Sequence, residues 1–340
     1  MIPRETIEAV DVFITKCKAA ANDVALRQYF AETPPFSLPV CHLDPLTPAY
    51  KDFIAHVYEE LADSQYSTTN EYIRVTPSNE RMAKSIDFKY KRPFPFSTST
   101  PATTSNHLRS ISDIISHLPY NPGARILELG PGDGFLGECL LRMGYDVSFL
   151  ELNPAAHRTL ELRCKNFGRG KAICDEFNTV DAHFSEKFDV IIFYESFHHS
   201  FEFPELISKV KRLLTKNGIL ILAGEPIIKN WHQPWGIRND SETLWAVRKH
   251  GWMELGFDED FLLELFYDKG FFARVAPSNL APIYIFSHRE NGLPPDAQLP
   301  SKMQPTPNTE PTETPSPRIP SWRKILGSLK RHAVSFLHRP

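Results

Sequence analysis

An acid followed by three glycines at alternate positions opens the stretch of this chain best suited to binding a small molecule. The residues are Glu128, Gly130, Gly132 and Gly134 in "ELGPGDG", and a second acid, Glu151, ends the next apolar run. Glycines let backbone N–H groups approach a ligand closely, and the positive end of a following helix favours a partly anionic one. Glu151 could accept hydrogen bonds from the two hydroxyls of a ribose. The pattern therefore predicts a nucleoside-containing cofactor.

Two kinds of cofactor fit this spacing. Gly132, Gly134 and Gly137 match the GxGxxG pattern of dinucleotide sites, and Glu151 lies 19 residues beyond Gly132. In the other alignment, Glu128 stands immediately before the glycines, where a carboxylate would repel a pyrophosphate and attract a cationic amino-acid group. The second alignment favours a cofactor that carries an amino acid.

Two further apolar runs end in residues that can move protons. The first ends in "FYESFHHS", which supplies Glu195, His198 and His199, and the second ends in "AGEP", which supplies Glu225. The carboxyl ends of parallel strands meet at one edge of a sheet, so these groups should converge. We predict His199 or His198 as a general base, oriented by Glu195 or Glu225. The alternative is that one histidine only packs in the loop or caps the next helix.

The same residue types could also hold a divalent ion. The candidates are Glu195, His198, His199, Glu225 and His232. Histidine pairs suit magnesium poorly, and adjacent histidines rarely bind one ion. The sequence therefore favours a site without a metal.

A segment rich in tryptophan follows the second of these runs. Flat aromatic rings could support a sugar ring, and an arginine could hold a phosphate or a carboxylate. The predicted acceptor-binding residues are Trp231, His232, Trp235, Arg238 and Trp245. The alternative for each tryptophan is that it packs against the sheet.

The elements that must position these residues alternate between short apolar runs and helical patterns from about residue 105 onward. The runs are continuously apolar, as in "ARILELG" and "FDVIIFYES", which is typical of parallel strands buried on both faces. The last two runs, "FFARVAP" and "APIYIFSH", are close enough to form an antiparallel hairpin. A helix is predicted at 204–214, with Asn217-Gly218 after it as the stop signal. The sequence thus predicts an α/β fold with helices on both faces of a mostly parallel sheet.

Residues 105–290 resemble the class I S-adenosylmethionine-dependent methyltransferases. The resemblance rests on "ELGPGDG", on Asp175 in "ICDEF" and on the terminal hairpin. It implies a Rossmann-like sheet of seven strands and S-adenosyl-L-methionine as cofactor. It also implies that Glu128, Gly130, Gly132 and Gly134 surround the methionine part, that Glu151 binds the ribose, and that Asp175 lies near the adenine.

The resemblance also bears on the acceptor. The sequence after the fourth predicted strand lacks the Asn/Asp-Pro-Pro-Tyr signature that amino-methylating enzymes of the family use on bases or glutamine, which favours an oxygen acceptor. The stretch from "FYESFHHS" to "WMELGF" is similar to methyltransferases associated with bacterial glycosyltransferases, which implies O-methylation of a sugar in glycan biosynthesis. Two alternatives stay open. One is methylation of another small metabolite, such as a quinone precursor or a carboxylate, and the other is a scaffold that binds the cofactor without turnover.

The composition suggests four segments and a cytoplasmic location. Residues 1–104 should form an N-terminal helical cap, 105–290 the methyltransferase domain, 291–320 a linker rich in proline and threonine, and 321–340 a basic amphipathic helix. That helix could contact the inner face of the membrane or a glycosyltransferase. The alternative is a disordered tail. A formal charge of -3 offers no basic field for nucleic acid, and five cysteines without a CxxC pair fit a reducing compartment.

Overall fold

A computed structural model describes residues 1–21, 23–71, 79–98, 100–119, 123–278 and 281–291. The predicted linker beyond residue 291 and the predicted tail helix at 321–340 lie outside these residues, so both stay predictions. Within the described part of the chain, no helix combines the length and the apolarity that crossing a bilayer requires.

Helices and strands alternate through the second and third quarters of the chain. The helices are α1 (Arg4–Lys18), α2 (Asp23–Glu32), α3 (Pro48–Ala62), α4 (Asn79–Lys91), α5 (Pro101–Ser116), α6 (Phe135–Arg142), α7 (Pro154–Phe167), α8 (Val180–His183), α9 (Phe203–Leu213), α10 (Ser241–His250) and α11 (Glu259–Asp268). The strands are β1 (Arg125–Leu129), β2 (Asp146–Leu150), β3 (Lys171–Ile173), β4 (Phe188–Tyr194), β5 (Leu214–Ala223), β6 (Ile227–Ile228), β7 (Trp235–Ile237), β8 (Leu255–Asp258), β9 (Phe271–Ala276) and β10 (Ile283–His288). The predicted boundary between residues 104 and 105 falls inside α5.

Seven strands form the main sheet in the order β3-β2-β1-β4-β5-β10-β9. The strands from β3 to β5 are parallel neighbours, and β10 runs antiparallel to both β5 and β9. This arrangement confirms the predicted Rossmann-like sheet and its antiparallel terminal hairpin. In β1, Leu129 pairs with Leu150 on one side and with Phe193 on the other. The carboxyl ends of β2, β1 and β4 therefore lie side by side.

The sheet is buried on both faces, as its continuous apolar runs predict. Successive residues of β1 point to opposite faces, so Ile126 belongs to one apolar cluster and Leu127 to the other. Leu140 of α6 and Leu160 of α7 pack in the cluster on one face, and α9 and α11 supply the other. Helices therefore cover both faces of the sheet.

The helix predicted at 204–214 is confirmed to within one residue at each end, but its predicted stop signal is wrong. The helix ends at Leu213, and β5 begins at Leu214, so Asn217 and Gly218 lie inside the strand. The pairing between β4 and β5 shifts register between Phe188 and Val190. A local irregularity in the strand thus accommodates a sequence that otherwise indicates a helix stop.

The N-terminal helices pack against a small second sheet that the sequence did not predict. Its order is β6-β8-β7, and it lies within residues 226–258. Tyr50 of α3 donates a hydrogen bond to the carbonyl of Trp235, and Tyr58 donates one to the carbonyl of Gly251. The cap therefore combines N-terminal helices with a segment that follows β5.

Candidate active site

A glycine bend connects β1 to α6. Gly130, Gly132 and Gly134 have φ values of +68°, +55° and +72°, a region that side chains rarely adopt. The N–H of Gly130 donates to the carbonyl of Leu150 at 2.9 Å. A Cβ atom on Gly130 would lie 2.7 Å from Cβ of Ser196, which follows β4. The bend thus needs glycine both for its conformation and for its approach to the end of β4.

Glu151 lies at the end of β2 and reaches this bend. Its side chain is buried, with the residue 8% exposed. Its Oε2 accepts a hydrogen bond from the N–H of Gly132 at 2.9 Å, and its Oε1 accepts one from the N–H of Asn153 at 2.7 Å. Burial raises the pKa of Glu151, although these two donors oppose the shift. The carboxylate predicted to bind a ribose is therefore held at the edge of the bend.

Glu128 belongs to β1, and its side chain reaches Gly137 in the first turn of α6. It is 2% exposed, and its Oε2 has no hydrogen-bond partner. Burial, reinforced by the charge of Glu151, raises the pKa of Glu128 to about 8, against the N–H of Gly137 and the charge of Arg163. At neutral pH this carboxyl is mostly protonated. The structure therefore gives Glu128 little of the negative charge that the sequence interpretation assigned to it.

This burial makes a prediction about stability. A carboxyl whose pKa is higher in the folded than in the unfolded state stabilises below its unfolded pKa, and that contribution is lost as pH rises through the folded pKa. Glu128→Gln should therefore gain stability relative to the wild type between about pH 5 and about pH 8.5, by roughly 1.4 kcal/mol per unit of pKa difference. Urea unfolding at both pH values would measure it. A stability difference that is independent of pH would contradict this account.

The end of α4 and the residues after it cover the bend. The carboxylate of Asp133 pairs with Lys89 and accepts a hydrogen bond from the N–H of Phe94 at 3.2 Å. Arg163 of α7, with its side chain 2% exposed, pairs with Glu138 of α6. The guanidinium also donates to the carbonyl of Asp133 at 3.1 Å and, at 3.3 Å, to that of Lys89. The bend is therefore clamped between α4, α6 and α7.

Asp175 follows β3, as the sequence analysis predicted. Its Oδ2 lies 2.6 Å from Nε2 of His183, and its Oδ1 accepts a hydrogen bond from the N–H of Glu176. Burial opposes ionisation, but these hydrogen bonds lower the pKa of Asp175. The ring of Phe177 lies 3.0 Å from the position of a Cβ on Gly130. Sequence analysis missed Phe177, although an aromatic residue so soon after the acid was a usable signal.

Glu225 organises the loop after β4. It is 3% exposed, and its carboxylate accepts hydrogen bonds from the N–H groups of Ser196, Phe197 and His198 at 2.9, 2.9 and 3.1 Å. Its Oε2 also lies 2.7 Å from Nδ1 of His198. Burial alone would raise the pKa of Glu225, but His198 and the loop donors outweigh it, so the pKa is lowered. Because an ionised Glu225 can only accept, the hydrogen of this contact lies on Nδ1 of His198, and Nε2 is the ring nitrogen left for another partner.

His199 has a different partner. Its Nδ1 lies 3.3 Å from Oε2 of Glu71, whose other oxygen accepts a hydrogen bond from the N–H of Met253 at 2.8 Å. Burial opposes the charge of His199, but Glu71 raises its pKa to about 9. His199 is therefore protonated at neutral pH and is poorly suited to accept a proton. Glu71 was not identified from the sequence, because no motif surrounds it.

Glu254, just before β8, joins the two histidines to Arg238. Its Oε2 lies 3.7 Å from Nε2 of His198 and accepts a hydrogen bond from Arg238 at 2.8 Å. Asp240 lies 3.6 Å from the same guanidinium. Arg238 is thus engaged by carboxylates of the chain itself and is not the open anion site that the sequence suggested.

Ligand atoms of His198, His199 and Glu254 lie within 4.8 Å of one another, a spacing that a metal ion could bridge. Arg238 already supplies positive charge to Glu254, and His199 is protonated beside Glu71. A divalent ion would have to displace one or the other. His232, also considered from the sequence, is exposed and lies beside Trp231.

Two of the predicted acceptor-binding tryptophans lie in the core. Trp235 is 3% exposed and donates from Nε1 to the carbonyl of Pro45 at 2.8 Å. Trp245 is 8% exposed and packs near Phe30. Both hold residues 226–258 against the N-terminal helices. Trp231 is half-buried, and Trp252, which the sequence analysis did not select, lies with its ring 5.9 Å from that of His199.

Glu195 does not contact either histidine of the loop. Its Oε2 lies 4.0 Å from Nδ1 of His107 on α5. Of the two acids predicted to orient a histidine, Glu225 therefore contacts His198, and Glu195 contacts neither histidine.

Comparisons with known proteins agree with this architecture. Residues 127–220 match the family described as "Methyltransferase domain". No curated protein shows a significant match to the chain. The match to the domain family covers Glu128, Glu151, Asp175 and the two histidines after β4.

Three methyltransferases are among the solved structures that are similar to this chain. A SAM-dependent methyltransferase from Aquifex aeolicus has 13% identity and a TM-score of 0.41, over 60% of this chain and 96% of its own. A TehB-like SAM-dependent methyltransferase from Corynebacterium glutamicum has 17% and 0.37, over 56% and 100%. The 1,6-didemethyltoxoflavin-N1-methyltransferase from Burkholderia thailandensis has 14% and 0.42, over 64% and 93%. Values this low do not bear on the acceptor. Residues 127–220 thus match a methyltransferase domain, and the strand order of the main sheet is Rossmann-like.

Proposed function

We propose that this protein transfers a methyl group from S-adenosyl-L-methionine to a hydroxyl of a sugar or a similar polar acceptor. One observation carries the proposal: the Glu225–His198 pair and the glycine bend meet at Ser196. The hydroxyl of Ser196 donates to the carbonyl of Leu129 at 2.7 Å, while its N–H donates to Glu225. A proton acceptor and a nucleoside site are thus built on adjacent strand ends.

The cofactor half of the proposal assigns roles along the sheet edge. Gly130, Gly132 and Gly134 form the bend over which the methionine part lies. Glu151 binds the ribose hydroxyls, and Asp175 lies near the adenine, with Phe177 beside it. The domain match over residues 127–220 supports S-adenosylmethionine as the cofactor. The hydrogen bond from the N–H of Gly132 to Oε2 of Glu151 supports this assignment, because it places one carboxylate oxygen at the bend.

The transfer needs an aligned oxygen nucleophile and a proton acceptor. When bound, S-adenosylmethionine would supply a methyl group on a sulfonium, which the acceptor oxygen would attack in line with a neutral thioether as the leaving group. The hydroxyl proton passes to Nε2 of His198, and the ionised Glu225 stabilises the resulting imidazolium. His198 rather than His199 takes this role, because Glu71 keeps His199 protonated. Such general base catalysis typically contributes 10²–10⁴-fold.

The charges around His198 bear on the class of acceptor. Glu71, Glu225 and Glu254 surround the histidines, and Arg238 is engaged by Glu254 and Asp240. A carboxylate acceptor would meet repulsion here, which favours a neutral hydroxyl compound over the alternative of a carboxylate metabolite. Trp231 and Trp252, both half-buried, are the rings that we assign to a sugar. Trp235 and Trp245 are not retained in this role.

A transfer assay tests the proposal. Glycan and small-metabolite extracts would be incubated with the full chain and methyl-labelled cofactor, and products would be sought by mass spectrometry at a gain of about 14 Da per methyl group. We expect the label on a sugar oxygen. Label on nitrogen or on a carboxylate would contradict the acceptor class, and cofactor binding without any labelled product would favour the scaffold alternative. Contact of residues 321–340 with a membrane or a glycosyltransferase stays a separate prediction.

A further inference from the structure

A chain of contacts surrounds the space above the glycine bend. On one side, the carboxylate of Asp133 in the bend accepts the N–H of Phe94, and the ring of Phe94 packs on His107 with centroids 4.5 Å apart. His107 in turn lies 4.0 Å from the carboxylate of Glu195. On the other side, Ser196, the residue after Glu195, contacts the bend at Gly130. Glu195 therefore borders the space over the bend.

The backbone of Glu195 is strained. Its φ is +53°, which is uncommon for a residue with a side chain and is tolerated mainly where surrounding structure enforces it. The N–H of Glu195 donates to the carbonyl of Ala223 at 2.9 Å. A Cβ on the neighbouring Gly224 would lie 2.6 Å from Cγ of Glu195, so only glycine leaves room for this side chain. The fold thus holds one carboxylate in a fixed place at the end of β4.

That carboxylate has no hydrogen-bond donor among the described residues. His107 directs Nδ1 to the hydroxyl of Tyr194 at 2.7 Å, and burial lowers its pKa, so it is neutral at pH 7. Burial, then the charge of Glu225, raises the pKa of Glu195 to about 7. Its side chain is 37% exposed and is open to a ligand. A cation placed beside Glu195 would stabilise the ionised carboxylate and so offset both the cost of its burial and the repulsion from Glu225.

The strand order indicates which ligand group reaches Glu195. β2, β1 and β4 are successive neighbours, with Glu151 after β2, the bend after β1 and Glu195 after β4. Strands lie about 4.8 Å apart, so Glu195 is roughly 10 Å across the sheet edge from Glu151. A nucleoside whose ribose is held at Glu151 would extend its amino-acid half over the bend toward Glu195.

We propose that Glu195 is the counter-ion for the cationic amino-acid half of S-adenosylmethionine. This inference rests on the proposed function and adds a role that was not assigned to Glu195 from the sequence. The half carries two cationic groups, an ammonium and a sulfonium, beside one α-carboxylate, and transfer of the methyl group removes the sulfonium charge. If Glu195 faces the sulfonium, the site retains the substrate more tightly than the product and so aids product release.

Calorimetry with four probes tests this assignment on the full chain. S-adenosylmethionine carries both cationic groups, and S-adenosylhomocysteine carries the ammonium but no sulfonium. Sinefungin carries an amine in place of the sulfonium methyl, and 5′-methylthioadenosine has no amino acid. Glu195→Gln should weaken binding of S-adenosylmethionine and sinefungin about tenfold and leave methylthioadenosine unchanged. If Glu195→Gln also weakens binding of S-adenosylhomocysteine, Glu195 faces the ammonium. If the affinity for S-adenosylhomocysteine is unchanged, Glu195 faces the sulfonium. The conservative Glu195→Asp should retain most of the affinity.

Two controls keep the test decisive. Glu195→Gly removes the carboxylate but suits the positive φ, so it should melt no lower than the wild type while showing the same loss of affinity. Glu205→Gln, on the exposed surface of α9, should bind all four probes as the wild type does. The inference is overturned if Glu195→Gln binds S-adenosylmethionine within about twofold of the wild type, or weakens methylthioadenosine by the same factor. Failure of the wild type to bind S-adenosylmethionine would instead refute the proposed function.

Discussion

Replacing His198 by alanine is expected to lower the rate of methyl transfer by about 10²–10⁴-fold while S-adenosylhomocysteine binds with unchanged affinity. The reason is geometric: Glu225 holds Nδ1 of His198 at 2.7 Å, which leaves Nε2 as the nitrogen that can take the hydroxyl proton. Single-turnover measurements with labelled cofactor would give the rate, and calorimetry the affinity.

His199→Ala is the matched control, because it removes a neighbouring imidazole whose pKa of about 9 keeps it protonated. We expect a smaller rate loss from it than from His198→Ala. Glu225→Gln is a less selective probe, since the carboxylate also accepts three backbone N–H groups and its loss should destabilise the loop. Equal losses from the two histidine variants, or full activity in His198→Ala, would refute the assignment of the base.

Glu151→Ala should weaken binding of S-adenosylhomocysteine by about 100-fold or more, equivalent to roughly 3 kcal/mol for two hydrogen bonds to a charged group. The variant removes the acceptor proposed for the ribose and also leaves the N–H groups of Gly132 and Asn153 without their partner. Titration calorimetry of the full chain measures the change.

Glu151→Gln separates these effects, because it keeps one oxygen acceptor and the side-chain volume while losing the charge. Its affinity should fall between those of the wild type and the alanine variant. Glu205→Ala, on the exposed face of α9, provides the matched control for loss of a surface carboxylate. A loss of less than about threefold in Glu151→Ala would show that the ribose is not bound there.

The main sheet and the glycine bend were predictable because they depend on local patterns. Continuous apolar runs such as "VIIF" indicate strands buried on both faces, and glycines between a strand and a helix indicate a bend. The strands β6, β7 and β8 contain two to four residues each, which is too short for a periodicity to be recognised. The burial of Trp235 and Trp245 likewise depends on distant partners, including Pro45 and Phe30.

The site itself was only partly predictable. The sequence placed two acids and two adjacent histidines at the ends of β4 and β5 but could not rank them, since a single turn of backbone decides which side chain meets Glu225. Glu71 and Glu254 come from segments far away in sequence and belong to no motif. The positive φ of Glu195 is set by contacts with Gly224 and the end of β5, which no local pattern indicates.

Calorimetric titration of the full chain with S-adenosylhomocysteine, and in parallel with NADH, tests the central claim most directly. The glycine bend admits either alignment at the level of residue spacing, but the account assigns it to a nucleoside that carries an amino acid. We predict saturable binding of S-adenosylhomocysteine that Glu151→Ala weakens strongly, together with no comparable binding of NADH. Preferential binding of NADH, or no binding of S-adenosylhomocysteine, would contradict the account.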